Sequence, residues 1–456
     1  MFNEKHPKSK IKFFEASPFQ IVSLSFLFVI LAGTLLLSLP ISSRERVFTS
    51  PLNALFTATS ATCVTGLVVY DTGTYWSTFG QIVILTLIQI GGLGLVTLTS
   101  FFNLIVGKKM GFRGIELAKE SINTDSFADV KKMLKTIMVL TFSIEFTGAI
   151  ILALTFIPEF GFAKGAYISI FTAVSAFCNA GFDLLGFQGE FCSLSNYTNN
   201  FLVYGTVALL IILGGIGFIV MRDIFRYRKS KKLMLHTKVV LVVTAILIIG
   251  GGILFTILEW NNVTMEGLSV CQKVGAGFFH SVSTRTAGFN TIPQDTLTNL
   301  SKVLSTVLMF IGASPASTGG GIKVTTIAVI IMTIVSVLRG REDTTMHNAT
   351  VSKKAVYRAL ALFFLAIFWV TFASIVIMLS LDGQASAMDV IFETTSAFGT
   401  VGLSVGITSI AGVLEKIVLI ASMYLGRVGP ITLMISLTLI NESHKEVLPK
   451  GKIIIG

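Results

Sequence analysis

Four stretches of the 456-residue chain each place a glycine ten positions after a phenylalanine: Phe56 and Gly66, Phe171 and Gly181, Phe278 and Gly288, Phe392 and Gly402. The loops read Val64-Thr65-Gly66-Leu67, Asn179-Ala180-Gly181-Phe182, Thr286-Ala287-Gly288-Phe289 and Thr400-Val401-Gly402-Leu403. These residues offer no base and no nucleophile beyond three threonine hydroxyls. What they offer is backbone. Glycine takes positive φ without steric cost, which lets consecutive carbonyls turn toward one axis. Small or β-branched neighbours keep their side chains off that axis. Rings of carbonyl oxygens replace the hydration shell of a bare cation, and a short helix ending at each loop points its negative C-terminal dipole at the ion. One such glycine alone reads as a helix cap or a turn. Four at the same offset read as one cation-binding device, a selectivity filter, built from four copies.

A second stretch runs Gly312-Ala313-Ser314-Pro315-Ala316-Ser317-Thr318-Gly319-Gly320-Gly321-Ile322-Lys323. It interrupts an apolar segment that, as one helix, would measure roughly 55 Å against a hydrocarbon core of about 30 Å. Proline and three consecutive glycines do not sustain a helix. The simplest reading is a broken helix with a polar loop at mid-depth; a kinked helix or a tight packing seam is the alternative. Arg427 lies inside the last apolar segment. Arginine at a bilayer centre costs at least about 2.5–3.5 kcal/mol, so it should face a pore or bond protein carbonyls. Contact with the loop around Gly312 to Gly321, helping to set a closed state, is the expectation. Glu145 and Glu393 also have apolar surroundings, and structural pairing is weighted above direct ion binding for both.

The elements that must hold these residues are membrane helices. Hydrophobic residues make up 53% of the chain and charged residues 13%, with mean hydropathy +0.80; an ordinary soluble domain carries about 25% charged residues. Lipid must therefore solvate much of the surface. Eight apolar segments run over about 18–40, 78–106, 133–157, 201–221, 237–258, 301–338, 356–380 and 413–440. Each consecutive pair brackets one of the glycine-bearing stretches, which are too short and polar to span. The glycines are spaced by 115, 107 and 114 residues, a period that means four copies of one unit. The expected fold is an all-α integral membrane protein of four parallel helix–pore loop–helix repeats, with pseudo-fourfold symmetry around one central pore. Its parts are an N-terminal arm (1–17), repeats at 18–107, 132–226, 236–338 (with the intramembrane loop) and 355–440, and a tail (441–456).

Charge orients the unit. Basic residues gather in the N-terminal arm (Lys5, Lys8, Lys10, Lys12) and in loops holding Lys108, Lys109, Arg113, Lys119, Lys131, Lys132 and Lys135; Arg222, Arg226, Arg228, Lys229, Lys231, Lys232 and Lys238; and Arg339, Arg341, Lys353, Lys354 and Arg358. The opposite ends carry Asp71, Asp183, Glu190, Glu259, Glu266, Asp295, Asp382 and Asp389. The positive-inside rule then makes both termini cytoplasmic and brings all four loops in from outside. Parallel repeats argue against an inverted-repeat transporter.

The net charge of +11 therefore points to topology and anionic lipid, or to docking of a cytosolic partner, rather than to nucleic acid. Cys63, Cys178, Cys192 and Cys271 show no metal-ligand spacing and read as free thiols. His6, His236, His280, His347 and His444 form no HExxH cluster. No GxxxxGK[ST] loop occurs, so nucleotide binding would belong to a partner, and no cofactor is expected in this chain. The first apolar stretch, Phe19 to Leu39, lacks a cleavage-site pattern and reads as a retained span. A membrane enzyme would need a clustered polar site, and only the separated Glu145, Glu393 and Arg427 offer one.

These motifs resemble the Trk/Ktr/HKT superfamily of potassium transporters, most closely the membrane subunit of Ktr-type uptake systems. The carriers are SATCVTGL (Ser60 to Leu67), SAFCNAGF (Ser175 to Phe182), STRTAGFN (Ser283 to Asn290) and SAFGTVGL (Ser396 to Leu403), with GGLG (Gly91 to Gly94), GGIG (Gly214 to Gly217) and GRVGP (Gly426 to Pro430). The chain begins directly at the first repeat, whereas Trk-type members usually carry extra N-terminal spans. The resemblance implies potassium as the transported ion in the cytoplasmic membrane. It also implies an intramembrane loop obstructing the pore beneath the filter, a homodimer, and a cytosolic ring of nucleotide-binding regulatory subunits. Some plant relatives with serine at the first filter position favour sodium; Gly66 implies potassium preference. A sodium-selective or weakly selective member of the superfamily is the nearest alternative, and coupling to sodium or protons is left open.

Overall fold

A computed structural model of the chain describes residues 18–94, 97–100, 130–346 and 349–429. The N-terminal arm, most of the first basic loop (Lys108 to Lys119), Pro430 and the tail lie outside the described residues, as does the Lys131 side chain. Among the described residues, four helices are long and apolar enough to cross a bilayer unaided: α1 (Pro18–Ser38), α4 (Val130–Phe160), α8 (Leu235–Glu259) and α12 (Lys353–Leu381). Only 22–39% of each apolar window is buried by protein. Large apolar side chains such as Phe28 at 69%, Phe146 at 68% and Leu379 at 77% exposure face outward. A helix apolar around most of its circumference with that surface uncovered is solvated by lipid.

Inside this shell lie four short helices, α2 (Pro51–Thr62), α5 (Phe162–Phe177), α9 (Val270–Ser283) and α13 (Ala387–Gly399). Their starts are set by local chemistry. Pro51 occupies the first turn of α2, a capping box of Ser269 with Gln272 opens α9, and Ser386 accepts the Asp389 N–H to cap α13. Phe56, Phe171 and Phe392 are fully buried. Phe278 is only half-buried, and its neighbour Phe279, at 2% exposure, takes the core position instead.

The second helices of the first, second and fourth copies differ from the continuous spans expected. Helix α3 (Thr78–Leu93) stops at Gly94, φ 81°. Helix α6 (Phe201–Ile216) stops at Gly217, φ 90°, and α7 (Phe218–Ser230) departs at 94°. Beyond α10 (Asn299–Phe310) and α11 (Val324–Leu338), which flank the Gly312 loop, and the short α14 (Ile407–Ile410), α15 (Val413–Val428) stops at Gly429, φ 91°. These are the final glycines of GGLG, GGIG and GRVG, placed where a left-handed backbone needs them. In the third copy the helix breaks across Ile311 to Lys323, as its sequence led us to expect, and the break is closed by a bridge between Ile311 and Ile322 and a 2.8 Å bond from Gly312 N–H to the Ile322 carbonyl. A two-residue hairpin, β1 (Thr345–Met346) with β2 (Ala349–Thr350), connects α11 to α12.

Candidate functional site

The four glycine loops meet. A methyl group built on Gly66 would lie 2.5 Å from the Ala180 carbonyl oxygen, one on Gly181 2.8 Å from that of Ala287, and one on Gly288 2.5 Å from that of Val401. One on Gly402 would strike the Thr65 carbonyl. The contacts run from first loop to second, second to third, third to fourth and fourth to first, so they close a ring. No side chain fits anywhere in it. All four glycines have positive φ, from 71° to 96°, which a Cβ would strain even with space available.

Two positions earlier each loop repeats a feature with no glycine to explain it. Val64, Asn179, Thr286 and Thr400 also have positive φ, between 51° and 68°. For β-branched Val64, Thr286 and Thr400 that conformation costs on the order of 1–3 kcal/mol each and persists only where surroundings impose it. The imposing contacts are hydrogen bonds back to the short helices. Thr65 N–H donates to the Ser60 carbonyl at 2.8 Å, Ala180 to Ser175 at 2.7 Å and Val401 to Ser396 at 2.8 Å. Gly66 and Gly402 N–H donate to the Ser60 and Ser396 hydroxyls, both at 3.1 Å. The serine of each motif thus holds the loop in register. In the third loop α9 ends five residues before the glycine, against four in the first two and three in the fourth; there Ala287 N–H donates to the Ser283 carbonyl at 3.0 Å, and the Ser283 hydroxyl donates to the Phe289 carbonyl. Arg285, 7% exposed, lies in this loop.

Leu67, Phe182, Phe289 and Leu403, following each glycine, are at most 1% exposed and wall the ring from behind. The second helices support it closely. Built Cβ atoms on Gly91, Gly214 and Gly426 would collide with the carbonyls of Thr62, Phe177 and Phe398, each four residues before a loop glycine.

The Gly312 to Lys323 segment lies directly against the loops. Gly320 N–H donates to the Thr400 hydroxyl at 3.0 Å, the Thr318 hydroxyl donates to the Phe177 carbonyl at 3.1 Å, and a Cβ on Gly319 would lie 3.2 Å from Thr286 Cβ. Ser314 N–H bonds the Gly215 carbonyl and Gly321 N–H the Gly426 carbonyl, at 3.0 and 3.2 Å. Ala316, at φ 53°, offers its carbonyl to Phe218 N–H across the α6–α7 bend. Ala313 is buried against Gly319, while Pro315 and Ser317 are half-buried. Two cations bind this segment's carbonyls: Lys323 Nζ donates to Gly319 at 2.7 Å, and Arg427 Nη1 donates to Thr318. Arg427 Nη2 also reaches the Gly91 carbonyl at 2.5 Å and that of Gly92 at 3.3 Å. Arginine's fork is suited to several carbonyls at once.

On the opposite side the four glycines floor a cleft of about 190 Å³, whose wall includes Asp71 and Asp183. Asp71 accepts N–H bonds from Gly73 and Thr74, both at 2.9 Å, and from Phe191 at 3.0 Å, tying the first unit to the second. Burial raises the Asp183 carboxyl to about 6; the Leu185 N–H it accepts works the other way, and the Asp71 carboxylate adds to the rise. Glu393 is fully buried and accepts from the Ser404 hydroxyl at 2.7 Å, from Val405 and Thr408 N–H at 3.1 Å, and from the Thr408 hydroxyl. It organises the chain leaving the fourth loop. Glu145 accepts from Gln89 Nε2 at 3.1 Å, with Cys178 Sγ 3.8 Å away. The four cysteines are free thiols, and no three metal-binding side chains cluster among the described residues.

Residues 1–447 match the family described as TrkH, cation transport protein. The potassium/sodium uptake protein NtpJ of Enterococcus hirae is 41% identical over 96% of this chain and 97% of its own length. The Ktr system potassium uptake protein B of Bacillus subtilis is 37% identical over 98% of both chains. The crystal structure of the potassium transporter TrkH from Vibrio parahaemolyticus superposes with a TM-score of 0.72 at 17% identity, over 95% of this chain and 87% of that one, a likeness of fold. Transporters of this kind move ions and make or break no bonds, and the apolar helices make this chain a multi-pass membrane protein: it belongs to the TrkH cation transport protein family.

Proposed function

We propose that this protein takes up potassium across the cytoplasmic membrane through a filter formed by the four glycine loops. Its four helix–pore loop–helix units are parallel and related by pseudo-fourfold symmetry around that filter. The observation that carries the reading is the closed ring of glycine-to-carbonyl contacts. A dehydrated cation needs several oxygens at once, and a ring of backbone carbonyls supplies them without a net charge that would trap the ion. The strained residue two before each glycine, held by its serine, keeps the carbonyls preorganised, so little reorganisation accompanies ion entry.

The Gly312 to Gly321 segment, with Lys323 and Arg427, acts as the gate. It lies across the inner side of the filter and binds the third and fourth loops through small polar contacts. Two cationic side chains beside the pathway also oppose an ion leaving the filter inward. Opening must break the Thr400–Gly320 and Arg427–Thr318 contacts. Both termini are cytoplasmic, where a ring of nucleotide-binding regulatory subunits meets a homodimer of this chain and biases the gate.

Potassium uptake in transport-deficient cells, with and without a cytosolic regulatory subunit, tests the function. Selectivity is tested by Gly66→Ser. The added side chain enters the ring where 2.5 Å separates its Cβ from a carbonyl, so the potassium-to-sodium flux ratio should fall. An E. hirae relative is named for both ions, which favours a second reading, a weakly selective pathway. On that reading the wild-type ratio is already near one and the substitution changes it little.

A further inference from the structure

The filter and gate leave unused a cleft of about 840 Å³ at the basic end of α4, facing α7. Its rim carries Lys132 and Lys135 from α4 and Arg222 and Arg226 from α7; its apolar wall includes Val139 and Phe225. We propose that this cleft binds the headgroup of an anionic phospholipid, with an acyl chain against Val139 and Phe225.

Three observations carry the proposal. The first is the layering of chemistry along α4. The apolar span begins at Lys132, and Val139 lies one turn beyond Lys135, a rise of about 6 Å. Val139 is 54% exposed and Phe225 65% exposed. Charged and apolar surfaces are therefore stacked in the order of a headgroup above its chains, and a free phosphate would use only the first. The second is the direction of α7. It leaves α6 at 94°, so it lies along the membrane plane when α6 crosses it, as interfacial amphipathic helices do. Arg222 and Arg226 stand four residues apart on one face, and Arg222 Nη1 approaches Met133 Sδ on α4 at 3.7 Å, holding the two helices together.

The third is charge. Among the described residues no carboxylate pairs with Lys132, Lys135 or Arg226. The acid on α7, Asp223, is buried with its carboxylate on Met234 N–H at 2.9 Å, where it accepts a backbone bond. Several cations around one phosphate give short charge-assisted bonds, and each basic residue near an anionic surface strengthens binding about fivefold.

Full-length protein in detergent, titrated with phosphatidylglycerol or with phosphatidylcholine of the same chains and read by native mass spectrometry, tests this. Wild type should prefer phosphatidylglycerol. Lys132→Gln with Lys135→Gln should weaken that lipid about 25-fold, at about fivefold per charge, and leave phosphatidylcholine unchanged. Lys132→Arg with Lys135→Arg should keep the preference. Should the double glutamine variant fail to fold, Arg226→Gln alone gives the same reading at about fivefold. Unchanged phosphatidylglycerol binding in the glutamine variants overturns the proposal. Displacement of the lipid by millimolar inorganic phosphate does so too, since it marks a free-anion site. So does loss of a purified cytosolic regulatory subunit with lipid binding intact, which marks a protein dock.

Discussion

Arg427→Ala should open the pathway. The guanidinium donates to Thr318 in the intramembrane segment and to Gly91 and Gly92 on the neighbouring wall. Of the three Arg427 bonds only the one to Thr318 holds the segment and must break for it to move, and a hydrogen bond to a charged donor contributes about 1.5–3 kcal/mol. Losing it shifts a closed-to-open equilibrium by about tenfold to 150-fold. The segment keeps other ties to its surroundings: Gly320 N–H on Thr400 at 3.0 Å and Gly321 N–H on Gly426 at 3.2 Å. These favour the lower figure, about tenfold. Arg427→Lys, which lacks the planar fork but keeps a charge, should fall between wild type and alanine. Rubidium flux into proteoliposomes at matched protein density reads the effect, with thermal stability measured in parallel. Unchanged flux from a well-folded alanine variant would refute the reasoning, because the bond would then hold nothing that conduction requires to move.

Two further predictions concern the other side of the filter. With its carboxyl raised to about 6, Asp183 is anionic above that pH and neutral below it, so uptake at subsaturating potassium should decline as external pH falls from 7 to 5. One charge about 6 Å from the mouth in water is worth about 0.7 kcal/mol, roughly threefold in local cation concentration; Asp183→Asn should lower uptake at pH 7 by that factor and flatten the profile, and an unaltered profile would remove Asp183 from the cause. Glu393→Gln leaves one side-chain oxygen where two had accepted from Ser404, Val405 and Thr408, and turns a buried amide toward donors. A loss of about 1–3 kcal/mol in stability, read by thermal unfolding in detergent, is expected, with a melting point equal to wild type as the contrary result.

Much of the architecture was legible because lipid simplifies the code. Apolar runs of spanning length locate α1, α4, α8 and α12, and the four glycines announce themselves because only glycine tolerates both positive φ and the touching backbones of the ring. The breaks in the second helices were less visible, although their signal was present. GGLG, GGIG and GRVGP look like packing motifs in a continuous apolar run, and hydropathy does not register that Gly94, Gly217 and Gly429 stop the helices. The strained residues were not legible at all. Val64, Thr286 and Thr400 are β-branched types that local preference places in extended backbone, and the hydrogen bonds that the residue after each makes back to Ser60, Ser283 and Ser396 at the helix ends override it. Nor could the shared offset from an aromatic residue reveal that α9 ends five residues before its glycine, that Phe279 rather than Phe278 takes the core position, or that Arg285 is buried. Glu393 was weighted toward a structural role from its apolar surroundings, but its partners at Ser404 to Thr408 become visible only when the chain after the fourth loop folds back onto α13.

The central claim is that the four loops form one ion-binding ring, and rubidium diffraction tests it most directly. Crystals grown in potassium and exchanged into rubidium should show anomalous density between the loops, surrounded by the carbonyls of Thr65, Ala180, Ala287 and Val401, and Gly66→Ser crystals should show it weakened. Strong rubidium density elsewhere in the membrane with none between these carbonyls would contradict the account.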